Sequence, residues 1–141
     1  MMAIAAAMAD GLGFGHNARA LLISRGLAEI SRLGVRLGAN SHTFAGLAGM
    51  GDLVLTCTGD LSRNRTVGTR VGRGERIGDV LSGMTMVAEG VRTAVSAVEL
   101  SRRTWVPMPI TEQVHGILHE GKDAREAVND LFSRALKREK E

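Results

Sequence analysis

The sequence predicts an all-α domain, and three observations carry that prediction. Apolar residues recur at steps of three or four over long stretches, as in Ile23, Leu27, Ile30, Leu33 and Leu37. There is no alternation of strand and helix units. The stretches are joined by short connections, with no low-complexity segment and no internal linker. A chain of 141 residues suits one domain, and a domain of that size buries about two-thirds of its unfolded surface.

The elements follow in order. Residues 1–9 are apolar from the first residue and read as the tail of a helix closed by Gly11, Gly13 and Gly15. The run has no polar lead-in, as if cut from a longer polypeptide. A secretory leader would carry a basic start, and the first basic residue is Arg19. Residues 18–38 form an amphipathic helix, with Arg25, Glu29, Arg32 and Arg36 on the stripe opposite the apolar one, Glu29 paired to both sides and the arginines expected to be solvated. Residues 41–46 suit a short helix capped by Ser41. Gly46, Gly49 and Gly51 punctuate a turn before Asp52. Residues 53–58 (LVLTCT) are equally a short strand or a buried helix.

A short helix is predicted near residues 76–83. Residues 88–104 set Val91, Val95 and Val98 against Arg92, Ser96, Glu99 and Arg103. Pro107 and Pro109 stop that helix and lead into another, carrying Ile110, Val114, Ile117 and Leu118 and ended by Gly121. Asp123 followed by Glu126 is a capping-box variant opening a last helix through Phe132. The charged tail, 134–141, is expected to fray.

Composition excludes several classes. The chain is 44% hydrophobic and 23% charged, too apolar for disorder. One cysteine, Cys57, rules out a disulfide framework and fits a reducing, cytoplasmic compartment. No apolar run reaches 18 residues, so no membrane-spanning helix is expected. The basic residues are lopsided, 15 Arg against 3 Lys, and the lysines are Lys122, Lys137 and Lys140.

Few residues suggest chemistry. His115 and His119 are four apart on a helix, a spacing that can chelate zinc. There is no HExxH and the cysteine is distant, so a metal-free surface pair is the expectation. Cys57 sits in an apolar run and reads as an inert buried thiol. Gly11, Gly13 and Gly15 mimic half of a dinucleotide fingerprint but follow a helix rather than a strand. The informative segment is 60–76, with Arg63, Arg65, Arg70, Arg73 and Arg76. Guanidinium groups beside Ser62 and Asn64 suit a phosphate. A helix starting there would add its free N–H groups. A solvated basic face is the usual reading of such a charge run, and a nucleic-acid surface is a further alternative, although the segment has no aromatic for base stacking. Asp52, at a glycine-flexed turn, reads as a helix cap or as a substrate-orienting acid.

The stretch GMGDLVLTCTGDLSRNR (49–65) closely resembles the substrate-binding segment of bacterial NAD(P)-dependent glycerol-3-phosphate dehydrogenase. MADGLGFGHNARALLISRGLAEISRLG (8–34), MVAEGVRT (86–93) and MPITEQVHGILHEGKDAREAV (108–128) resemble its flanks, in one register over essentially the whole chain. The resemblance implies an all-α substrate-binding domain over 1–141, like the C-terminal domain of 6-phosphogluconate dehydrogenase. A Rossmann domain for NAD or NADP would precede it. The family reduces dihydroxyacetone phosphate to sn-glycerol 3-phosphate, reversibly, for phospholipid synthesis.

Asp52, Ser62, Arg63 and Asn64 match substrate-binding positions, with Thr56 a weaker candidate beside Asp52. Arg63, Val87 and Glu89 match cofactor-proximal positions. The family's general-base lysine lies two residues before the position matching Met1. With no lysine before Lys122, and arginine unable to deprotonate usefully, the resemblance implies a chain inactive alone. Implied partners are the small phosphate ester, the Rossmann domain and, as an open expectation, a second copy of the chain. Neither nucleic acid nor membrane is implied. Two departures stand out. Ala7 replaces a common glycine, and His16 replaces a common aspartate, leaving Asn17 to cap the long helix. Without a partner domain, the apolar face near residues 1–9 is expected to lie exposed and to favour self-association.

Overall fold

Small side chains decide how this domain is assembled. In the computed structural model, which describes residues 1–59 and 62–138, with side chains to Arg134, the apolar N-terminal run is α1 (Met2–Gly11). Every residue from Met2 to Ala9 is buried. α1 packs most intimately on α5 (Arg63–Gly72). A Cβ built on Gly68 would stand 2.3 Å from the Ile4 carbonyl oxygen, one on Gly72 2.5 Å from that of Met8, and one on Gly11 2.4 Å from that of Thr69. Only glycine lets two backbones come this close. The exposed face expected at residues 1–9 is therefore corrected. α1 is apolar all round because it is surrounded, by α2, α4, α5, α7 and α8. Ala7 is itself fully buried, against Gly68.

α2 (His16–Arg36) matches the predicted amphipathic helix, but its start and its polar stripe differ. Gly15 occupies the cap position without a side-chain bond, so Asn17 does not cap. Glu29 is not solvated. It is 1% exposed, and its carboxylate accepts from the Ile110 N–H at 2.6 Å, the Thr111 N–H at 3.2 Å and the Thr111 hydroxyl at 3.1 Å. These N–H groups open α8 (Pro109–His119), which has no cap of its own. Arg32 and Arg36 lie at the surface but are tied down. Arg32 Nη2 donates to the Pro107 carbonyl at 3.1 Å and Arg36 Nε to the Thr104 carbonyl at 3.3 Å. The stripe clamps the connection from α7 (Glu89–Thr104) to α8, whose carbonyls have lost their helical partners.

α3 (Ser41–Ala45) is capped by Asn40, not Ser41, through acceptance from the His42 N–H at 2.9 Å. Leu47–Gly51 form one π-helical turn, closed by the Gly51 N–H on the Gly46 carbonyl at 3.2 Å. It runs into α4 (Asp52–Thr58), which settles the segment 53–58 as helix. Of α4 only Cys57 is buried. Thr56 and Thr58 hydroxyls donate to the Asp52 and Val54 carbonyls at 2.8 and 2.7 Å, a helical alternative to the strand their branching favours.

α6 is Ile77–Ser82, and α7 ends at Trp105 in the left-handed conformation, φ 57°. Val91 and Val98 are buried on α7, but Val95 is exposed. Asp123 caps α9 (Ala124–Arg138) by accepting from the Glu126 N–H at 3.0 Å. α9 continues past Phe132, so the expected tail is helical to Arg138, and 139–141 lie outside the described residues, as do Asp60 and Leu61. No strand occurs among the described residues, and no helix there is long and apolar enough to cross a membrane.

Candidate functional site

The first turn of α5 holds the cation of the site. Ser62 Oγ accepts from the Arg65 N–H at 3.4 Å and starts the helix. Arg63 and Asn64 therefore occupy a helix N-terminus, where the partial positive charge favours anions. Arg63 is exposed, and its Nη1 donates to the Met86 sulfur at 3.0 Å. It meets no carboxylate among the described residues. Asn64 Oδ1 accepts from the Gly90 N–H at 2.9 Å, which ties α5 to the first turn of α7 and leaves the amide NH2 as a spare donor. Ser62, Arg63, Asn64 and Glu89 line one cleft of about 340 Å³.

Asp52 and Thr56 lie elsewhere. With Met1, Leu27, Phe44 and Thr93 they line a second cleft of about 370 Å³. The structure thus divides the sequence-predicted residues into two groups. α7 joins them, with Glu89 in one cleft and Thr93, one turn on, in the other. Met1 also joins them. Its amino nitrogen and Asn64 Oδ1 would each stand 2.6 Å from a Cβ built on Gly90, so position 90 has no room for a side chain. Asp52 makes no capping bond and stands instead in the first turn of α4, where its charge suits the helix N-terminus. Met86 and Val87, at the loop before α7, are 62% and 54% exposed beside Arg63.

The remaining arginines do not continue the site. Arg65 Nη2 donates to Asp10 Oδ2 at 2.9 Å, and its Nη1 to the Cys57 carbonyl. Asp10 also holds Arg19, Nη2 to Oδ2 at 2.8 Å. Arg70 pairs with Glu75, and that hydrogen bond holds the Glu75 carboxyl below its ordinary range. Arg73 and Arg76 line another cleft, beyond the far end of α5. The five therefore do not form one basic surface.

Cys57 is fully buried, and burial pushes its thiol pKa up despite the opposing fields of the amino terminus, Arg65 and Arg19. A raised thiol is a poor nucleophile. His115 Nδ1 lies 2.8 Å from Glu120 Oε1, and His119 Nε2 lies 2.9 Å from the Val91 carbonyl. No trio of His, Cys, Asp or Glu suited to a metal occurs among the described residues.

Sequence reasoning missed Thr93 and Met86. Thr93 was recoverable, since it follows Glu89 by one helical turn and shares its face. Met86 was not, because nothing in the sequence pairs a thioether with an arginine 23 positions earlier.

The model of the NAD-dependent glycerol-3-phosphate dehydrogenase C-terminus matches residues 1–129. The glycerol-3-phosphate dehydrogenase [NAD(P)+] of Geobacter sulfurreducens is 64% identical over 140 residues, 99% of this chain and 42% of the relative. That of Myxococcus xanthus is 63% identical over 139 residues, again 42% of the relative. The crystal structure of the Coxiella burnetii glycerol-3-phosphate dehydrogenase superposes with a TM-score of 0.90 at 44% identity, covering 93% of this chain and 40% of that one. The chain spans under half the length of these relatives.

Proposed function

Because this chain belongs to the family of the NAD-dependent glycerol-3-phosphate dehydrogenase C-terminus, we propose that it is the substrate-binding part of an enzyme interconverting dihydroxyacetone phosphate and sn-glycerol 3-phosphate with NAD(P)H. The observation that carries the reading is the contrast on one helix turn. Arg65 is bound to Asp10 and the Cys57 carbonyl, while Arg63 is exposed, free of carboxylates among the described residues and at a helix N-terminus. A guanidinium in that position, between a serine hydroxyl and a spare amide NH2, suits a phosphate dianion.

Arg63 and Asn64 hold the phosphate. Asp52 and Thr56, in the adjoining cleft, orient the carbon bearing the reacting oxygen through its hydroxyl hydrogen bonds. The residues also fit a nicotinamide cofactor at the margin. Met86 and Val87 offer an exposed apolar seat, and Arg63 and Glu89 offer polar contacts on the same rim. When bound, that cofactor supplies or accepts hydride. The chain's own residues bind and orient. No lysine stands before Lys122, so we assign the shuttling of the alcohol proton to the family's lysine, which precedes the position matching Met1. The reading also takes a Rossmann domain as partner and a cytoplasmic setting.

Calorimetry with sn-glycerol 3-phosphate tests the grip. Arg63→Ala is expected to weaken binding at least tenfold with the fold intact, whereas equal binding by both proteins removes the assignment. The 141-residue chain is expected to show no oxidation of NADH with dihydroxyacetone phosphate. Measurable turnover would refute the division of labour.

A further inference from the structure

The second half of the arginine run does something the substrate site does not use. α5 has ten residues, so its ends are about 15 Å apart. Beyond its C-terminal end opens a cleft of about 610 Å³, walled by the α5–α6 and α8–α9 connections. Arg73 and Arg76 come from the first connection, Lys122 and Arg125 from the second side. Leu12, Val71, Ile77 and Ile117 form apolar parts of the wall.

We propose that this cleft binds the diphosphate group of a small metabolite, at a site separate from the substrate cleft. Lys122 is paired with Asp130, so Arg73, Arg76 and Arg125 are the wall's cations without a carboxylate partner among the described residues, enough for the roughly three negative charges of a diphosphate. The two acids in the wall are already engaged. Glu75 is held by Arg70, and Asp123 accepts from the Glu126 N–H. Lys122 and Arg125 are anchored at one point each, Lys122 to Asp130 at 3.0 Å and Arg125 to the Leu12 carbonyl at 3.2 Å. The side chains of Arg73 and Arg76 make no ion pair or hydrogen bond among the described residues. The wall holds no aromatic side chain, which disfavours nucleic acid as the occupant.

Calorimetry on the 141-residue chain with sodium pyrophosphate, ADP and a short DNA duplex tests the site. Pyrophosphate is expected to bind at least tenfold more tightly than orthophosphate. The double variant Arg73→Ala/Arg76→Ala should lose at least tenfold in pyrophosphate affinity, and the single Arg76→Gln a smaller share. Arg102→Ala/Arg103→Ala removes the same charge from the exposed face of α7 and should change affinity by less than twofold. ADP binding as tightly as pyrophosphate assigns the site to a diphosphate ester. Binding of pyrophosphate alone assigns it to the inorganic ion. Equal loss in the α7 control reduces the effect to general charge and overturns the proposal. So does absence of pyrophosphate and ADP binding, or tighter binding of the duplex than of either.

Discussion

The α1–α5 seam and the outer arm of α3, the π-turn and α4 draw on the same residue types to opposite ends. In the seam, glycine removes side chains so that backbones touch, and every apolar residue from Met2 to Ala9 is buried. In the arm, glycines loosen the chain into a π-turn, and Leu47 and Leu55 are 89% and 70% exposed. Each region carries part of the candidate site. Arg63 stands on the helix of the seam, Asp52 and Thr56 on the arm. The proposed phosphate grip would thus stand on a helix of the close-packed seam, and the proposed oxygen-orienting pair on the lightly covered arm. Apolar composition does not decide burial. The presence of a facing helix does.

The comparison breaks first at Gly68. A Val side chain there would collide with the Ile4 backbone, and neither helix can retreat without opening the core. Gly68→Val is expected to cost more than about 3 kcal/mol, enough to abolish cooperative thermal unfolding followed by circular dichroism. A cooperative melt close to that of the wild type would mean that the seam is not close-packed.

The next largest effect separates two arginines on one turn. Arg65 neutralises Asp10 and satisfies the Cys57 carbonyl, both partly or fully buried. Arg65→Ala strands the Cys57 carbonyl and leaves Asp10 with Arg19 alone, with an expected loss of about 1–3 kcal/mol in urea denaturation. Arg63→Ala should stay within about 0.5 kcal/mol of wild type, since the residue is exposed and its described partner is a thioether. Similar losses for both would erase the distinction between structural and ligand-facing arginine.

Glu29 sharpens the picture through pH. Burial, the largest cause, raises its carboxyl pKa above the ordinary 4.5, against the hydrogen bonds from Ile110 and Thr111 and the field of Arg32. A carboxyl with a raised folded pKa binds protons more tightly in the native state than in the unfolded one. Its contribution is therefore full below pH 4.5 and is lost as pH rises through the folded value. Glu29→Gln keeps one carbonyl acceptor, as the protonated carboxyl does, so the variant should lie within about 1 kcal/mol of the wild type at low pH. The stability of the wild type relative to the variant should then fall as pH rises above 4.5 in paired urea titrations. An advantage that grows with pH would contradict it.

These cases also mark what the sequence could say. Helix positions were legible because periodicity and Pro or Gly stops are local signals, and the Asp123 cap formed as read. The role of Glu29 was not legible. Its partners lie 81 and 82 residues away, so a charge on a helix stripe looks solvated until the facing helix is known. The burial of α1 was hidden for the same reason, since an apolar run reads alike as core or as uncovered interface. Arg63 and Arg65 are indistinguishable by type and spacing alone. The resemblance singled out Arg63, and the Asp10 contact supplies the physical reason that Arg65 is unavailable.

The smallest expected effect probes the arm itself. Leu47 and Leu55 bury little, so Leu47→Ser and Leu55→Ser forfeit little transfer energy, and each should change stability by less than about 0.5 kcal/mol. Their consequence should appear instead in local opening. A short helix with one buried residue opens without unfolding the core, so amides of α4 should exchange with deuterium far faster than those of α1. Addition of sn-glycerol 3-phosphate should slow exchange in α4 if Asp52 and Thr56 hold the ligand, and leave α1 unchanged. Protection confined to α5 and α7 would restrict the ligand to the Arg63 cleft and take Asp52 and Thr56 out of the site.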